Sequence, residues 1–450
     1  FSGTATLTPS IHAGGITVGN LSYTSGSYSF SGGTLALSSG NIDVGAGLTT
    51  TFNQALSGAA GLTKSGAGTL SLVGNNKNYT GTTVINGGAI QINGAGNGNL
   101  GSSSTGNVTL DGGRLQTLFN SATLNYNVTV GAAGGEIRNM GTDSQRATLG
   151  TGKVTGSGIL TLSFGSSDTR IPVNSQAGFT GKWIVDSGGT FNRYADIQLN
   201  ASLGTGTGDD FLTLQNYGKI LHRGGTLGGP TQGITLGTGT SRVSIAGGVT
   251  VNIAGKLSGP VGNPLDIQLD NSTSTGILAN TANSFLGNLQ LTGVGFVLLG
   301  AAGVLPDAGG TVNITNGATL DLNGFNEYIG GLTGNGKADT RVASSVVTLG
   351  VGGNNSNTTF FGTTANAGSA SSLQLVKVGT GTLTVSGTGI GHGGGTIISN
   401  GTIEISAAGA GRLGPLSSSP VTLRGGTLQG NFAADVTVGN TITVDASGGT

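Results

Sequence analysis

The stretch GLTKSGAGTLSLVGNNKNYTGTTVINGGAIQIN, residues 61–93, occurs a second time as QLVKVGTGTLTVSGTGIGHGGGTIISNGTIEI, residues 374–405. The two stretches align at one nearly constant offset, and DGGRLQ further on matches RGGTLQ at the same offset. An offset held over about fifty positions predicts two copies of one structural module, residues 61–116 and 374–429. Repetition of this kind is typical of stacked folds in which each unit contacts its neighbours.

Apolar and polar residues alternate along most of the chain. Examples are Leu70 with Leu72, Ile90 with Ile92, and Val249 with Val251. Alternation puts the apolar side chains on one face of a strand and the intervening Thr, Ser, Asn and Gln on the other. The i, i+3, i+4, i+7 pattern of an amphipathic helix is missing, so the sequence predicts an all-β protein.

Pairs such as Asn86-Gly87 and Asn400-Gly401 separate the apolar segments, and both residue types tolerate the positive φ of tight corners. The corners recur about every 20–25 residues, as in the coils of a β-solenoid. We therefore predict one continuous parallel β-helix over residues 1–450, with about 20 coils and a length of about 100 Å at about 4.8 Å per coil. A string of sandwiches would need linkers of changed composition, and a propeller would need blades of about 40–50 residues. Neither pattern occurs.

The composition excludes several classes of protein. Of the 450 residues 91 are Gly, but the Gly-X-Y period of collagen is missing. Only 8% of residues are charged and the formal net charge is zero, so nucleic acid is not an expected partner. Cys is absent, which excludes disulfides and thiolate zinc sites. No apolar run reaches the roughly 18 residues of a transmembrane helix. The start at Phe1, without Met, indicates a segment of a longer protein.

The two repeat copies resemble the autotransporter-associated β-strand repeat found in passenger domains that Gram-negative bacteria secrete. The residues that carry the resemblance are Lys64, Gly66, Gly68, Tyr79 and Gly81 in the first copy and Lys377, Gly379 and Gly381 in the second. The second copy departs from the pattern, because it has Gly391-His392 near the Asn-Tyr step of the first. The resemblance implies a right-handed parallel β-helix exported to the cell surface, with a translocator barrel in the full-length protein. It implies no particular activity.

The lysine of each copy, Lys64 or Lys377, lies beside a predicted corner. Charged side chains are rarely buried, so we predict that both ammonium groups are solvated surface charges. A role in guiding secretion is implied by the resemblance alone.

Charged and aromatic residues concentrate in residues 136–148 and 183–223, which we interpret as coils with protruding loops. The second zone supplies the residues of a predicted glycan-contact patch: Trp183, Tyr194, Asp209, Asp210, Tyr217 and His222. Asp210 and His222 fall within one coil, so a glycan-cleaving pair is an alternative, although a solvated loop is the simpler explanation. No nucleophile elbow, phosphate-binding loop or calcium repeat is present, and we predict no catalytic, cofactor or metal site.

Three functions are compatible with this sequence. The first is a structural or adhesive shaft at the surface of a Gram-negative bacterium, which gives reach and stiffness without catalysis. The alternative is a self-assembling extracellular fibre or surface-layer subunit, which zero net charge and unpaired strand edges at solenoid ends would favour. The third is a glycan-binding or glycan-cleaving β-helix. The expected partners are accordingly a surface glycan or a second copy of the chain.

Overall fold

The computed structural model describes most of the chain. The described residues are 6–93, 99–101, 106–118, 122–141, 147–165, 169–199, 201–305, 307, 309–315, 317–342, 346–366, 372–387, 389–406, 419–431 and 440–450. Every regular element in them is a β-strand, and all pairs of these strands are parallel, which confirms the predicted parallel β-solenoid. None of the described segments is a helix that could cross a membrane. The chain divides into two compact units, Phe1–Ile220 and Leu221–Thr450.

The first unit contains four sets of paired strands. In chain order the strands are β1 (Thr6–Leu7), β2 (Ser10–Ile11), β3 (Ile16–Val18), β4 (Leu21–Tyr23), β5 (Ser27–Gly32), β6 (Leu35–Leu37), β7 (Asn41–Val44), β8 (Thr49–Phe52), β9 (Leu56–Ser57), β10 (Leu62–Ser65), β11 (Thr69–Leu72), β12 (Thr83–Ile85), β13 (Ala89–Ile92), β14 (Asn107–Leu110), β15 (Arg114–Thr117), β16 (Ala122–Leu124), β17 (Asn127–Val130), β18 (Gly135–Asn139), β19 (Ala147–Leu149), β20 (Val154–Gly156), β21 (Ile159–Phe164), β22 (Arg170–Val173), β23 (Lys182–Asp186), β24 (Tyr194–Ile197) and β25 (Gly208–Gln215). The sets are β1-β5-β8-β11-β13-β15-β18-β21-β23-β25 with β2 on β5, β20-β17-β14-β12-β10-β7-β4, β16-β19-β22-β24 and β3-β6-β9.

The register of these sheets stacks like residues on like. Leu70 lies beside Ile90, Ile90 beside Leu115, and Leu115 beside Ile137, so an aliphatic ladder runs along the interior. Successive partners in this ladder are 20, 25 and 22 residues apart, within or close to the predicted length of a coil. Other turns are longer, and the described strands of the two units make about 17 turns.

The second unit repeats this architecture. After β26 (Lys219–His222), which runs across the division, its strands are β27 (Gly225–Leu227), β28 (Gln232–Leu236), β29 (Ser241–Ile245), β30 (Thr250–Ile253), β31 (Leu257–Gly259), β32 (Leu265–Leu269), β33 (Thr275–Leu278), β34 (Ser284–Phe285), β35 (Leu289–Gly293), β36 (Gly295–Leu299), β37 (Thr311–Ile314), β38 (Ala318–Asp321), β39 (Glu327–Ile329), β40 (Gly331–Gly334), β41 (Lys337–Thr340), β42 (Val346–Val351), β43 (Thr358–Phe360), β44 (Thr363–Asn366), β45 (Ser372–Lys377), β46 (Thr382–Val385), β47 (Gly389–Ile390), β48 (Thr396–Ile398), β49 (Thr402–Ser406), β50 (Val421–Leu423), β51 (Thr427–Asn431) and β52 (Ile442–Val444). The sets are β28-β31-β34, β29-β32-β35-β37-β40-β43-β46-β49-β51, β27-β30-β33-β36-β38-β41-β44-β47 and β39-β42-β45-β48-β50-β52.

The two repeat copies occupy equivalent strands of the two units. Strands β10, β12 and β14 pair in order in the first copy, as β45, β48 and β50 do in the second. Strands β11, β13 and β15 likewise correspond to β46, β49 and β51. The two copies of the repeated module therefore have the same order and pairing of strands. That residues 1–450 form a single continuous helix stays a prediction.

The interior is built from apolar side chains in phase with the alternation. Leu110, for example, is fully buried between Ile85 on one side and Val130 on the other. Burying a Leu side chain contributes about 1.5–3 kcal/mol, and each turn adds several such residues to the stack. Thr, Ser, Asn and Gln alternate with them on the outer face, where any contact with a partner would be made.

Candidate functional site

The zone predicted as loop-bearing coils is divided about equally between strands and the segments that connect them. Residues 183–223 contain most of β23 and all of β24, β25 and β26, joined by the segments 187–193, 198–207 and 216–218. In the other such zone, residues 142–146 lie outside the described part of the chain.

Two of the six predicted glycan-contact residues are buried, so their placement in a surface patch is wrong. Trp183 is 1% exposed; its Nε1 donates a hydrogen bond to the Leu203 carbonyl at 2.7 Å, and its ring meets Phe179 edge-to-face. His222, in the second unit, is equally buried, and desolvation lowers its pKa from 6.5 to about 4. Both side chains belong to the core because they lie in phase with the inward apolar residues of their strands.

The acidic residues of the patch are at the surface, and one of them forms an ion pair. Asp209 and Asp210 are both exposed on β25. Asp210 forms an ion pair with Lys182, whose Nζ lies 2.6 Å from Oδ1 and 2.9 Å from Oδ2. Hydrolysis of a glycoside needs two carboxyl groups about 5–10 Å apart on either side of the bond, one of them protonated. The carboxylate of Asp210 contacts Lys182 instead.

Two aromatic side chains of this zone, of which one is exposed, pack together at a place that we call the Tyr217 corner and define as residues 186–193 and 215–219. Tyr217 is 40% exposed. Its ring packs edge-to-face on that of Phe191, with 5.3 Å between the centroids. Phe191 is half-buried, so the pair presents mainly the Tyr217 ring to a ligand with an apolar face.

The backbone of the Tyr217 corner is held in an unusual conformation. Asn216 and Tyr217 have φ of 51° and 63°, values that bulky residues rarely adopt. Asp186 stabilises this turn, because its Oδ2 accepts hydrogen bonds from the side-chain amides of Gln215 at 3.2 Å and Asn216 at 3.0 Å. Strain of this kind costs about 1–3 kcal/mol and concentrates at sites with a function.

Tyr194, the remaining residue of the predicted patch, is half-buried and already engaged. The Nζ of Lys219 lies 4.6 Å from the centre of its ring, and Arg170 Nη1 donates a hydrogen bond to its hydroxyl at 3.4 Å. Tyr194 therefore supports the sheet beside the Tyr217 corner. The structure also adds Phe191, which the sequence could have indicated as an aromatic residue inside the zone already selected.

The first repeat lysine is inside the protein, so the prediction that it is a surface charge is wrong. Lys64 is 0% exposed. Its Nζ donates hydrogen bonds to the carbonyl oxygens of Ser65, of Gly66 at 2.8 Å and of Gly87 at 3.4 Å. Ser65 and Gly66 form the corner of its own coil, whereas Gly87 belongs to the next coil.

The second repeat lysine has the same environment and corrects the same prediction. Lys377 is 1% exposed, and its Nζ donates to the carbonyl oxygens of Val378 and, at 2.9 Å, of Gly379. A Cβ added to Gly352 in the preceding coil or to Gly401 in the next would come within 2.8 or 2.9 Å of this Nζ. Each ammonium group therefore sits in a cage of corner backbone.

The glycines of the motif make these corners possible. Gly66 and Gly379 have φ of 69° and 64°, a region that L side chains rarely adopt. A Cβ on Gly68 or Gly381 would lie 2.2 or 2.4 Å from a backbone oxygen of the preceding coil. Gly81 is equally confined, since its Cβ would lie 2.3 Å from a backbone nitrogen. Close stacking of backbone on backbone requires Gly at all of these positions.

A third lysine is buried in a similar manner. Lys77 is fully buried, and its Nζ donates to the carbonyl of Gln54 in the preceding coil at 3.0 Å and to that of Val73 at 2.6 Å. Burial lowers the pKa of Lys64, Lys77 and Lys377 from 10.5 to about 8, and the nearby Asp43 partly opposes this shift at Lys64. All three are still mainly protonated at pH 7.

The Tyr79 position of the repeat is filled by a different residue in the second copy. The buried Tyr79 hydroxyl bonds to Thr83 Oγ1 at 2.6 Å. His392, also buried, bonds through Nε2 to Thr396 Oγ1 at 2.8 Å and through Nδ1 to Thr364 Oγ1 at 2.9 Å. The histidine thus replaces the tyrosine, and the offset between the copies could have identified it.

One buried carboxylate binds a loop of the second unit. Glu327 is almost fully buried, and its carboxylate accepts hydrogen bonds from the backbone N–H groups of Val304 at 3.2 Å and Leu305 at 3.0 Å. Desolvation outweighs these bonds and raises the pKa of Glu327 from 4.5 to about 7. Among the described residues, no group of three or more His, Cys, Asp or Glu is placed to hold a metal ion.

The family model of the passenger-associated-transport repeat matches residues 62–92 and 375–405. These are the two segments that contain the buried lysines Lys64 and Lys377. The chain carries two of these repeats within a parallel β-solenoid, as the resemblance to autotransporter passenger domains implied. Its caged lysines and stacked glycine corners thus lie within the segments that match the repeat.

This passenger segment is also similar to a curated protein. It is 30% identical over 425 residues to the adhesin BmaC autotransporter of Brucella suis. The alignment includes 90% of this chain but spans only 12% of the relative. No solved structure matches the chain.

Proposed function

We propose that this passenger segment is an adhesive and structural shaft on the surface of a Gram-negative bacterium, without catalysis of its own. The observation that carries the proposal is the stacking of parallel turns in both units, which joins each turn to its neighbours by a ladder of hydrogen bonds. A stack of this kind resists unfolding and holds outward side chains in fixed rows. The adhesin relative supports the same function, and the translocator barrel would belong to the rest of the full-length protein.

The local environments of the acidic and histidine residues support a non-catalytic role. Asp210 is neutralised by Lys182, and His222 is inaccessible to a polysaccharide. A general acid or base must reach the atom that it protonates or deprotonates, directly or through one water. A polysaccharide-lyase and glycosidase screen of the purified chain should therefore detect no turnover, and activity lost in Asp210→Asn would contradict the proposal.

We further propose the Tyr217 corner as a contact for a surface glycan. The aromatic pair of Phe191 and Tyr217 offers an apolar surface on which the C–H face of a sugar ring can stack. Exposed Asn192 is next to Phe191 in the sequence and adds hydrogen-bonding groups. The strained backbone at Tyr217 supports a functional reason for displaying this ring.

The glycan contact is tested by glycan-array binding of the purified chain. The variant Phe191→Ala/Tyr217→Ala should bind at least about fivefold more weakly, as expected for the loss of about 1 kcal/mol of stacking. Tyr328→Ala is the matched control, because Tyr328 is a 42%-exposed tyrosine of the second unit. Equal binding by the double variant and the wild type would refute the contact.

The adhesive function is tested separately in bacteria. Deletion of this segment from the full-length protein should reduce attachment to glycan-coated surfaces while the remaining passenger is still displayed. Undiminished attachment would refute the adhesive function but would not contradict the structural function of a shaft.

Association of the chain with itself is the alternative partnership, and sedimentation velocity at several concentrations would reveal it. Concentration-dependent filaments in electron micrographs would replace the adhesin proposal with a fibre.

A further inference from the structure

The two repeat lysines occupy the same place in two separate units, which is an unusual position for a charge. Both ammonium groups are almost completely removed from water. Burial of a charge is strongly unfavourable unless hydrogen bonds satisfy it. At both corners the acceptors are backbone carbonyl groups, so the cage is provided by the path of the chain and not by a partner side chain.

The cage of each lysine is assembled from successive coils. For Lys377 both acceptors, Val378 and Gly379, belong to its own coil, whereas Gly352 in the coil before and Gly401 in the coil after approach the ammonium closely enough to enclose it. For Lys64 the coil after contributes the Gly87 carbonyl. On the other side, the carboxylate of Asp43 in the preceding coil accepts a hydrogen bond from Ser65 at 3.1 Å, next to the lysine. The ammonium is therefore enclosed only after its neighbours have stacked.

The apolar ladders alone define the register of these strands poorly. Inward positions of β45, β48 and β50 are filled by similar aliphatic or Thr side chains. A slip of two residues keeps the same face inward, because side chains alternate with a period of two. In such a slipped stack the lysine would still point inward and keep the carbonyls of its own corner, but the neighbouring coils would present different backbone to its ammonium group.

We propose that Lys64 and Lys377 are register locks: the corner of each lysine's own coil accepts most of its hydrogen bonds, and only native stacking of the neighbouring coils encloses the ammonium group in backbone that fits it. A single buried polar residue acts in this way in coiled coils, where it selects one register at the expense of stability. The lock acts within one chain, and its role differs from that of a surface charge or a secretion signal. Lys77, caged by Gln54 of the preceding coil, is a third example of the same device.

The absence of Cys from the sequence allows a chemical test on one protein. The Lys377→Cys chain is unfolded and alkylated with either 2-bromoethylamine or 1-bromopropane, and is then refolded. The first reagent creates a thioether analogue of lysine with its ammonium group, and the second a neutral side chain of the same length. Lys153→Cys, treated identically, is the control, because Lys153 is only half-buried and bonds to the Asn127 side chain.

Hydrogen exchange followed by mass spectrometry measures how strongly the amides of peptides from residues 372–406 are protected in each refolded form. We expect the ammonium form to refold to one protected population that matches the wild type. The neutral form should give two or more populations with different protection, or should fail to refold where the ammonium form succeeds. Both forms of the Lys153→Cys chain should match the wild type. A single population with wild-type protection in the neutral Lys377→Cys form would overturn the proposal.

Discussion

Acidification should destabilise the second repeat copy through His392. The imidazole is 1% exposed and bonded to the hydroxyls of Thr364 and Thr396, and desolvation lowers its pKa from 6.5 to about 4. Since the folded-state pKa is the lower one, the unfolded chain binds the proton first as the pH falls. The stability associated with neutral His392 is therefore complete above about pH 6.5 and is lost between pH 6.5 and 4.

The size of this loss of stability follows from the pKa shift of His392. A shift of one unit corresponds to about 1.4 kcal/mol, so protonation of His392 should lower the free energy of unfolding by about 3 kcal/mol. His392→Gln removes the titration and keeps a side chain that can bond to a Thr hydroxyl. Other groups also titrate in this range, but they are shared by both proteins and cancel in the difference between wild type and variant.

Urea unfolding at pH 7.5 and pH 3.5, monitored by hydrogen exchange of peptides from residues 389–406, measures this difference. We expect His392→Gln to be less stable than the wild type at pH 7.5, because a hydrogen bond is lost, and to recover about 3 kcal/mol relative to it at pH 3.5. His12→Gln is the control, since His12 is exposed. A difference between wild type and His392→Gln that stays the same at both pH values would refute the assignment of a buried neutral imidazole.

Three further predictions concern the interior. Leu110→Asp buries an unpaired charge within a ladder, so urea unfolding should show a loss of about 3–5 kcal/mol; an unchanged midpoint would contradict the inward position of Leu110. His222→Leu should raise the free energy of unfolding by about 1–3 kcal/mol, because a desolvated imidazole is replaced by an apolar side chain; a lower midpoint would show that His222 has a favourable polar partner. The pKa of Glu327 is raised from 4.5 to about 7, so the unfolded chain loses its proton first and the stability contributed by Glu327 is lost as the pH rises from 4.5 to 7. Glu327→Gln should abolish about 3 kcal/mol of that decline in pH-dependent urea unfolding, and an identical decline in the variant would refute it.

Most of the fold could be predicted from the sequence, because the patterns that indicate it are local. Alternation with a period of two, corners rich in Gly and Asn, and the offset between the copies each predict stacked parallel turns without knowledge of any contact. Tyr217 and Asp210 of the predicted patch are exposed, and their contact with a glycan stays a prediction. The prediction erred on Trp183 and His222, because large or polar side chains in a zone rich in charges were assumed to face outward.

The sequence by itself determined which side chains face inward, including the polar ones. Lys64 is two residues after Leu62, Lys377 two after Leu375, and His392 two after Ile390, so the phase of the alternation already places them in the interior. Only the tertiary structure decided what each buried group contacts. Part of the backbone around an ammonium comes from coils about 20–25 residues away, such as Gly87 for Lys64 and Gln54 for Lys77, and the length of each turn sets which carbonyl lies there. A pattern with a period of two specifies the face of a strand, whereas the register between turns is a property of the assembled stack.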